Sequence, residues 1–189
     1  MQKLFHGDVI FTAKAELKPW SDQPDDYTSA IDGKIVAYVR NSSGDEGTHE
    51  DAGSLKMVLV HTVEAVNNRT SLVHVFDATQ LLTDVYEVLM DSEGEIKDEL
   101  DVEPGWHNVL VLTEATIDKR FEATHLLAQA IDTAGATLCS SGLVVTHRDV
   151  LAQVAKEDIE RLGFREIEDG YLLRDNQCKH PGLDGLDEE

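Results

Sequence analysis

Four consecutive apolar residues, Val109-Leu-Val-Leu112, constrain this chain more than any other stretch. A strand with one wet face alternates between apolar and polar residues. A strand that is apolar at every position has both faces covered. The chain must therefore build a sheet with a layer on each side, and Ala115 to Ile117 extend its central strand. The residues that follow can supply a layer. Ala123 to Ala134 place Leu126, Leu127, Ala130 and Ile131 on one helical face, and Gly135 reads as the cap. Gly142-Leu-Val-Val-Thr146 reads as the next strand. Asp149 is a good N-cap for a helix over Val150 to Leu162, which Gly163 stops. Phe164 to Ile167 and Tyr171 to Leu173 read as a hairpin across Asp169-Gly170. The order strand, helix, strand, helix, strand, strand predicts an α/β fold, a mixed sheet with helices on its faces.

The first half is led by strands. Asp8 to Leu17 alternate well enough for one, until Pro19, Trp20 and the acids Asp22 to Asp26 break the pattern. Asp32-Gly33 is a tight-turn signal leading into a strand over Lys34 to Arg40. Asn41 to Gly53 has Ala52 as its one apolar residue and reads as a surface loop. Leu55 to Val66 fits either a strand, through Met57 to Val60, or a helical stripe. Val73, Phe76, Leu81, Val85, Val88 and Leu89 predict one amphipathic helix ending near Gly94. Glu95 to Leu100 add a turn, and Pro104-Gly105 closes the segment. With 189 residues, 41% of them hydrophobic, the chain can bury one core. A single domain over 1–175, with a helical insertion at about 70–104, is expected. The tail, 176–189, is acidic and carries turn residues, so it reads as flexible.

Charge narrows the partners. Asp and Glu number 37 against 16 Lys and Arg, a formal net charge of −21. That excess repels phosphate backbones and anionic membranes, which argues against nucleic-acid and membrane partners and favours cationic substrates. The start, Met1 to Asp8, lacks the apolar stretch of a signal peptide. Cys139 and Cys178 form no framework, as for reduced thiols in a cytoplasmic protein. The sequence has no His-Glu-x-x-His and no paired-cysteine spacing, so no metal site is expected. Asp91-Ser-Glu-Gly-Glu95 is spaced like a calcium loop but has Ile96 where that loop requires glycine, so it reads as a solvated helix end. Cys139 reads as a small core residue, and Trp20 and Trp106 as packing residues.

Leu162-Gly163-Phe164-Arg165-Glu166, followed by Gly170-Tyr-Leu-Leu173, resembles the final helix, turn and last strands of the GNAT superfamily, the Gcn5-related N-acetyltransferases. Val109 to Arg120 lies where that family has its central strand, and Phe121 to Ala134 where it has its cofactor-binding helix. Lys34 to Arg40 is similar to an early strand. The likeness spans about residues 30 to 174 and is tightest over the last third. It implies a GNAT-like, mostly antiparallel mixed sheet with helices on both faces, and a central strand that splays from its neighbour to admit acetyl-coenzyme A (acetyl-CoA). By the resemblance, the amides of Ala115, Thr116 and Ile117 would take the cofactor's arm. Lys119, Arg120, Ala123, Thr124 and His125 would surround its pyrophosphate at the helix start, where unpaired amides and the dipole favour an anion.

The family opens that helix with Arg or Gln, then Gly, any residue, and Gly. Here Glu122 takes the first of those places, and Ala123 and His125 take the glycine places. Ile159 stands where many members have a tyrosine that protonates the departing thiolate. Glu114, near the central strand, is the candidate general base. The implied activity is acetyl transfer from acetyl-CoA to the amine of a small molecule or peptide by direct attack. A second reading is a non-catalytic relative working as a binding or regulatory module, which Glu122, Ala123, His125 and Ile159 motivate. A third gives the first half its own sheet-and-helix region for homodimerisation.

Overall fold

A computed structural model describes residues 3–14, 23–40, 47–103, 105 and 107–177. The strands are β1 (Lys3–Lys14), β2 (Thr28–Arg40), β3 (Thr48–Val60), β4 (Val109–Ile117), β5 (Leu143–His147), β6 (Arg165–Glu166) and β7 (Tyr171–Asp175). The helices are α1 (Thr62–Asn67), α2 (Leu72–Phe76), α3 (Gln80–Leu89), α4 (Leu126–Leu138) and α5 (Lys156–Arg161). The strands form one sheet in the order β1-β2-β3-β4-β5-β7-β6. Only β4 and β5 run parallel; the other neighbours are antiparallel. A parallel pair needs a crossover, and α4 provides it.

The apolar run of β4 has the physical basis its sequence implied. Leu110 and Leu112 enter a core cluster with Leu126, Ala130 and Ile131 of α4. Val109 and Val111 enter a second cluster, on the other face, with Leu72, Val85 and Leu89 of α2 and α3. All four are at least 97% buried. Each contributes roughly 1.5–3 kcal/mol of transfer free energy. The sheet is thus mixed and mostly antiparallel, and it is covered on both faces where Val109 to Leu112 cross it.

Several local expectations are corrected. Asp32-Gly33 is no turn: β2 runs straight through it, with Asp32 opposite Thr12 and Lys56, and Gly33 opposite Phe11 and Leu55. Two flanking ladders outweigh a local turn preference. The polar segment before Gly53 is not all loop, since Thr48 to Gly53 belong to β3. Ala52 marks the inward side: it is 1% exposed, at a register shift between Gly53 and Asp51. Residues 41–46 of that expected loop lie outside the described residues, as do 15–17 of the expected first strand, which starts earlier, at Lys3. Leu55 to Val66 resolves into the end of β3 and then α1. The single helix expected to Gly94 is two, because the Thr79 hydroxyl accepts the Leu82 amide at 3.2 Å and caps α3. A 3₁₀ turn, Asp98–Leu100, follows.

The helix expected over Val150 to Leu162 is a 3₁₀ turn, Arg148–Leu151, followed by the shorter α5. Gly163 does end it, at φ +78°. α4 begins at Leu126 rather than Ala123, and Gly135 lies inside it, not at its end. Gly135 is there for close approach: a Cβ would lie 3.2 Å from Asn176 Nδ2 and 3.4 Å from Val144 Cγ2. The Asn176 carboxamide donates to the carbonyls of Gly135 (2.9 Å) and Cys139 (2.8 Å), so it caps α4 from beyond β7. Gln177 donates to Ser141 O at 3.1 Å. Asn176 and Gln177 therefore belong to the fold, while the rest of the expected tail, 178–189 with Cys178, lies outside the described residues, as do Trp20, Pro104 and Trp106. Among the described residues, no helix is long and apolar enough to cross a membrane.

Candidate functional site

β4 and β5 pair from Val109 opposite Leu143 to Leu112 opposite Thr146. The Thr146 hydroxyl donates to Leu112 O at 2.9 Å and closes the paired stretch. Beyond it the strands part. β5 ends at His147 and turns into Arg148–Leu151, while β4 continues to Ile117 against β3 alone. The cause lies on the β3 side. Met57 faces Leu112 and Lys56 faces Glu114, so Thr113 is an extra residue, its hydroxyl bound to Lys56 O at 3.0 Å. A bulge of this kind bends its strand and increases its twist.

Gln153, from the segment between Arg148–Leu151 and α5, fills the opening. Its Oε1 accepts from the Ile117 amide at 3.1 Å, and its Nε2 donates to Ile117 O at 3.3 Å. Nε2 also donates to Glu122 Oε1 at 3.1 Å. Backbone groups alternate sides along a strand, so the polar edge of Ala115 faces the same opening. Past Gln153 lies a cavity of about 140 Å³, bounded by Glu122 to His125, the first turn of α4, and Gln153 to Asp158.

Ala123, Thr124 and His125 all line this cavity. The Thr124 hydroxyl donates to Phe121 O at 2.6 Å. His125 Nδ1 is 2.8 Å from Asp158 Oδ2, and Asp158 is 4% exposed. Arg120 is held elsewhere, donating to Glu50 at 2.7 Å and to Asp118 at 3.2 Å. Its hydrogen bonds hold Asp118 below the usual carboxylate range and Arg120 itself above its ordinary value. Lys119 is exposed in the turn.

Ala115 and Ile117 point into the cluster around α4, so Glu114 and Thr116 point to the opposite face. There Glu114 pairs with Lys56 Nζ at 2.6 Å, and Thr116 bonds Ser54 across the strands at 3.0 Å. The hydrogen bond and charge of Glu114 raise the Lys56 pKa. The structure therefore gathers Ile117, Ala123, Thr124 and His125 around one opening and leaves Glu114, Thr116, Lys119 and Arg120 outside it.

Sequence reasoning missed Gln153 and Asp158, which reach the opening from more than thirty positions away and carry no local signal. It also missed the pairing of His147 with Tyr171, whose rings stand edge to face at 5.4 Å. Burial first, then the charges of Asp84 and Asp169, push the Tyr171 hydroxyl upward in pKa. Cys139 is buried, and burial pushes its thiol up to about 11, which leaves it protonated and unreactive at neutral pH. Among the described residues no group of three or more His, Cys, Asp or Glu could hold a metal. Set against family models, curated proteins and solved structures, the chain matches none.

Proposed function

We propose that the chain is a GNAT-like domain whose cofactor gap is closed by its own Gln153, and that it works as a non-catalytic binding or regulatory module. The observation that carries this reading is the Gln153 carboxamide, bound in both directions to Ile117 and anchored at its far side by Glu122. Acetyl-CoA does not fit the residues as they stand. The cavity of about 140 Å³ is well below the roughly 300 Å³ at which small-molecule pockets begin. Glu122 would face a pyrophosphate with like charge, and the Arg120 guanidinium is already held by two carboxylates. Ile159 packs against the core and has no proton to give.

One observation favours a second reading, an acetyltransferase acting on an amine. β4 parts from β5 at a bulge, and its free edge takes a carboxamide, as it would the amide of an extended cofactor arm. Thermal melting with coenzyme A separates the two. The module predicts an unchanged melting temperature up to millimolar ligand. A shift that grows with ligand concentration and saturates overturns it in favour of the transferase.

A further inference from the structure

We infer that a cavity of about 380 Å³ between the α1–α2 connection and the turn after α3 binds a free α-amino acid with an apolar side chain. It lies on other elements than the β4–β5 gap and is independent of either reading of that gap. Its volume is within the range of about 300–1,000 Å³ typical of small-molecule sites.

Charge is the first reason. Arg69 and Glu93 both line the cavity, both are exposed, and neither forms an ion pair among the described residues, with each other or with another group. A ligand carrying a carboxylate and an ammonium complements both groups at once. Backbone conformation is the second reason. Arg69 has φ 61°, in the left-handed position just after α1, where glycine is the common occupant. Such an outlier in a non-glycine residue points to a use for its side chain.

The walls are fixed without a ligand. On one side the Arg69 amide donates to Val66 O at 2.9 Å and the Thr70 amide to Ala65 O at 2.8 Å. Asn68 and the Thr70 hydroxyl both donate to the Tyr27 hydroxyl, at 3.3 and 3.0 Å. On the other side Asp91 accepts from the amides of Glu93 (2.8 Å) and Glu95 (3.0 Å), which sets the turn that presents Glu93. The Tyr86 ring is tilted against Phe76 at 5.6 Å, and Gly94, at φ +83°, lies against its hydroxyl. Burial first and the charge of Asp91 second raise the Tyr86 pKa, so its hydroxyl is a donor at neutral pH. Val66, Leu72, Val73 and the Tyr86 ring supply an apolar surface beside these polar groups, and Val73 is 52% exposed. Val73 lines this open cavity and offers a contact to an apolar side chain.

The test is a titration of the full chain with L-phenylalanine and L-leucine, followed by backbone amide NMR. Saturable binding by either is expected, with shifts at Arg69 to Val73, Tyr86 and Ser92 to Gly94. The analogues 3-phenylpropionate, which lacks the ammonium, and phenethylamine, which lacks the carboxylate, should bind at least roughly tenfold more weakly than phenylalanine. Arg69→Gly should weaken binding by a similar factor while leaving the melting temperature unchanged or higher, because glycine suits the left-handed position. Glu93→Gln should weaken binding and leave the fold intact. The inference is overturned if neither amino acid saturates by about 10 mM, if either analogue binds as well as phenylalanine, or if Arg69→Gly binds as tightly as the parent.

Discussion

The two halves of β4 obey different rules. From Val109 to Leu112 it is flanked by strands on both edges and by core on both faces. From Thr113 to Ile117 it keeps one strand neighbour, buries only alternate side chains, and borrows the carboxamide of Gln153 for its other edge. The first half is held by packing and ladder, and a substitution there is felt as a cavity. The second half is held by a single ladder and a few replaceable hydrogen bonds. One inserted residue, Thr113, separates the regimes. The lesson is that a strand's role can change within one turn of register. Solvent, side chain or ligand can compete for an edge only where the neighbouring strand has left it.

Four measurements would break or sharpen that contrast. The largest effect is expected for Leu110→Ala in the paired half, where the side chain is 1% exposed. Urea unfolding should show a loss of about 2–5 kcal/mol, and a smaller loss would mean that the half is poorly packed. Next is Cys139, whose thiol donates to Asn108 O at 3.3 Å, just before the paired half begins. Its folded pKa of about 11 exceeds the ordinary 9.0, so the unfolded chain gives up this proton first. The stabilisation is complete below pH 9 and is lost as pH rises through 11, by at most about 2–3 kcal/mol. The fall in stability over that window should be shallower in Cys139→Ala; parallel curves would contradict the assignment.

In the parted half, Gly53→Ala should be the most damaging change, since a Cβ there would overlap the Thr116 carbonyl across the one remaining ladder. A loss of about 1–3 kcal/mol is expected from denaturant melts. Gln153→Ala should have the smallest effect on stability, about 1 kcal/mol, yet hydrogen exchange at the Ile117 amide should quicken. An unchanged exchange rate would mean that Gln153 does not guard that edge.

What could be read in the sequence was whatever depends on periodicity over a few residues. Val109 to Leu112 announced a strand covered on both sides because each position independently needed an apolar partner. Asp32-Gly33 misled because its turn chemistry is local, while the two ladders that override it come from Phe11 and Thr12 on one side and Leu55 and Lys56 on the other. Gly135 misled for a related reason: it can end a helix or let one approach a sheet, and only the position of Val144 and Asn176 decides between them. At the gap, the strand that offers its edge was legible and the residue that occupies it was not. Gln153 is a lone polar residue among Val150, Leu151, Ala152, Val154 and Ala155, and its significance comes from where β5 and the following 3₁₀ turn deliver it.

Asn176 has a mechanical consequence. It grips the C-terminal carbonyls of α4, while the opposite end of that helix is held by the buried Leu126 and Leu127 and by the His125 contact with Asp158. At 1.5 Å per residue the thirteen residues of α4 make a rod about 20 Å long. A rod fastened at both ends and buried along one face moves as a single piece. A displacement beside Gln153 would therefore be carried along α4 to the place where the chain leaves β7.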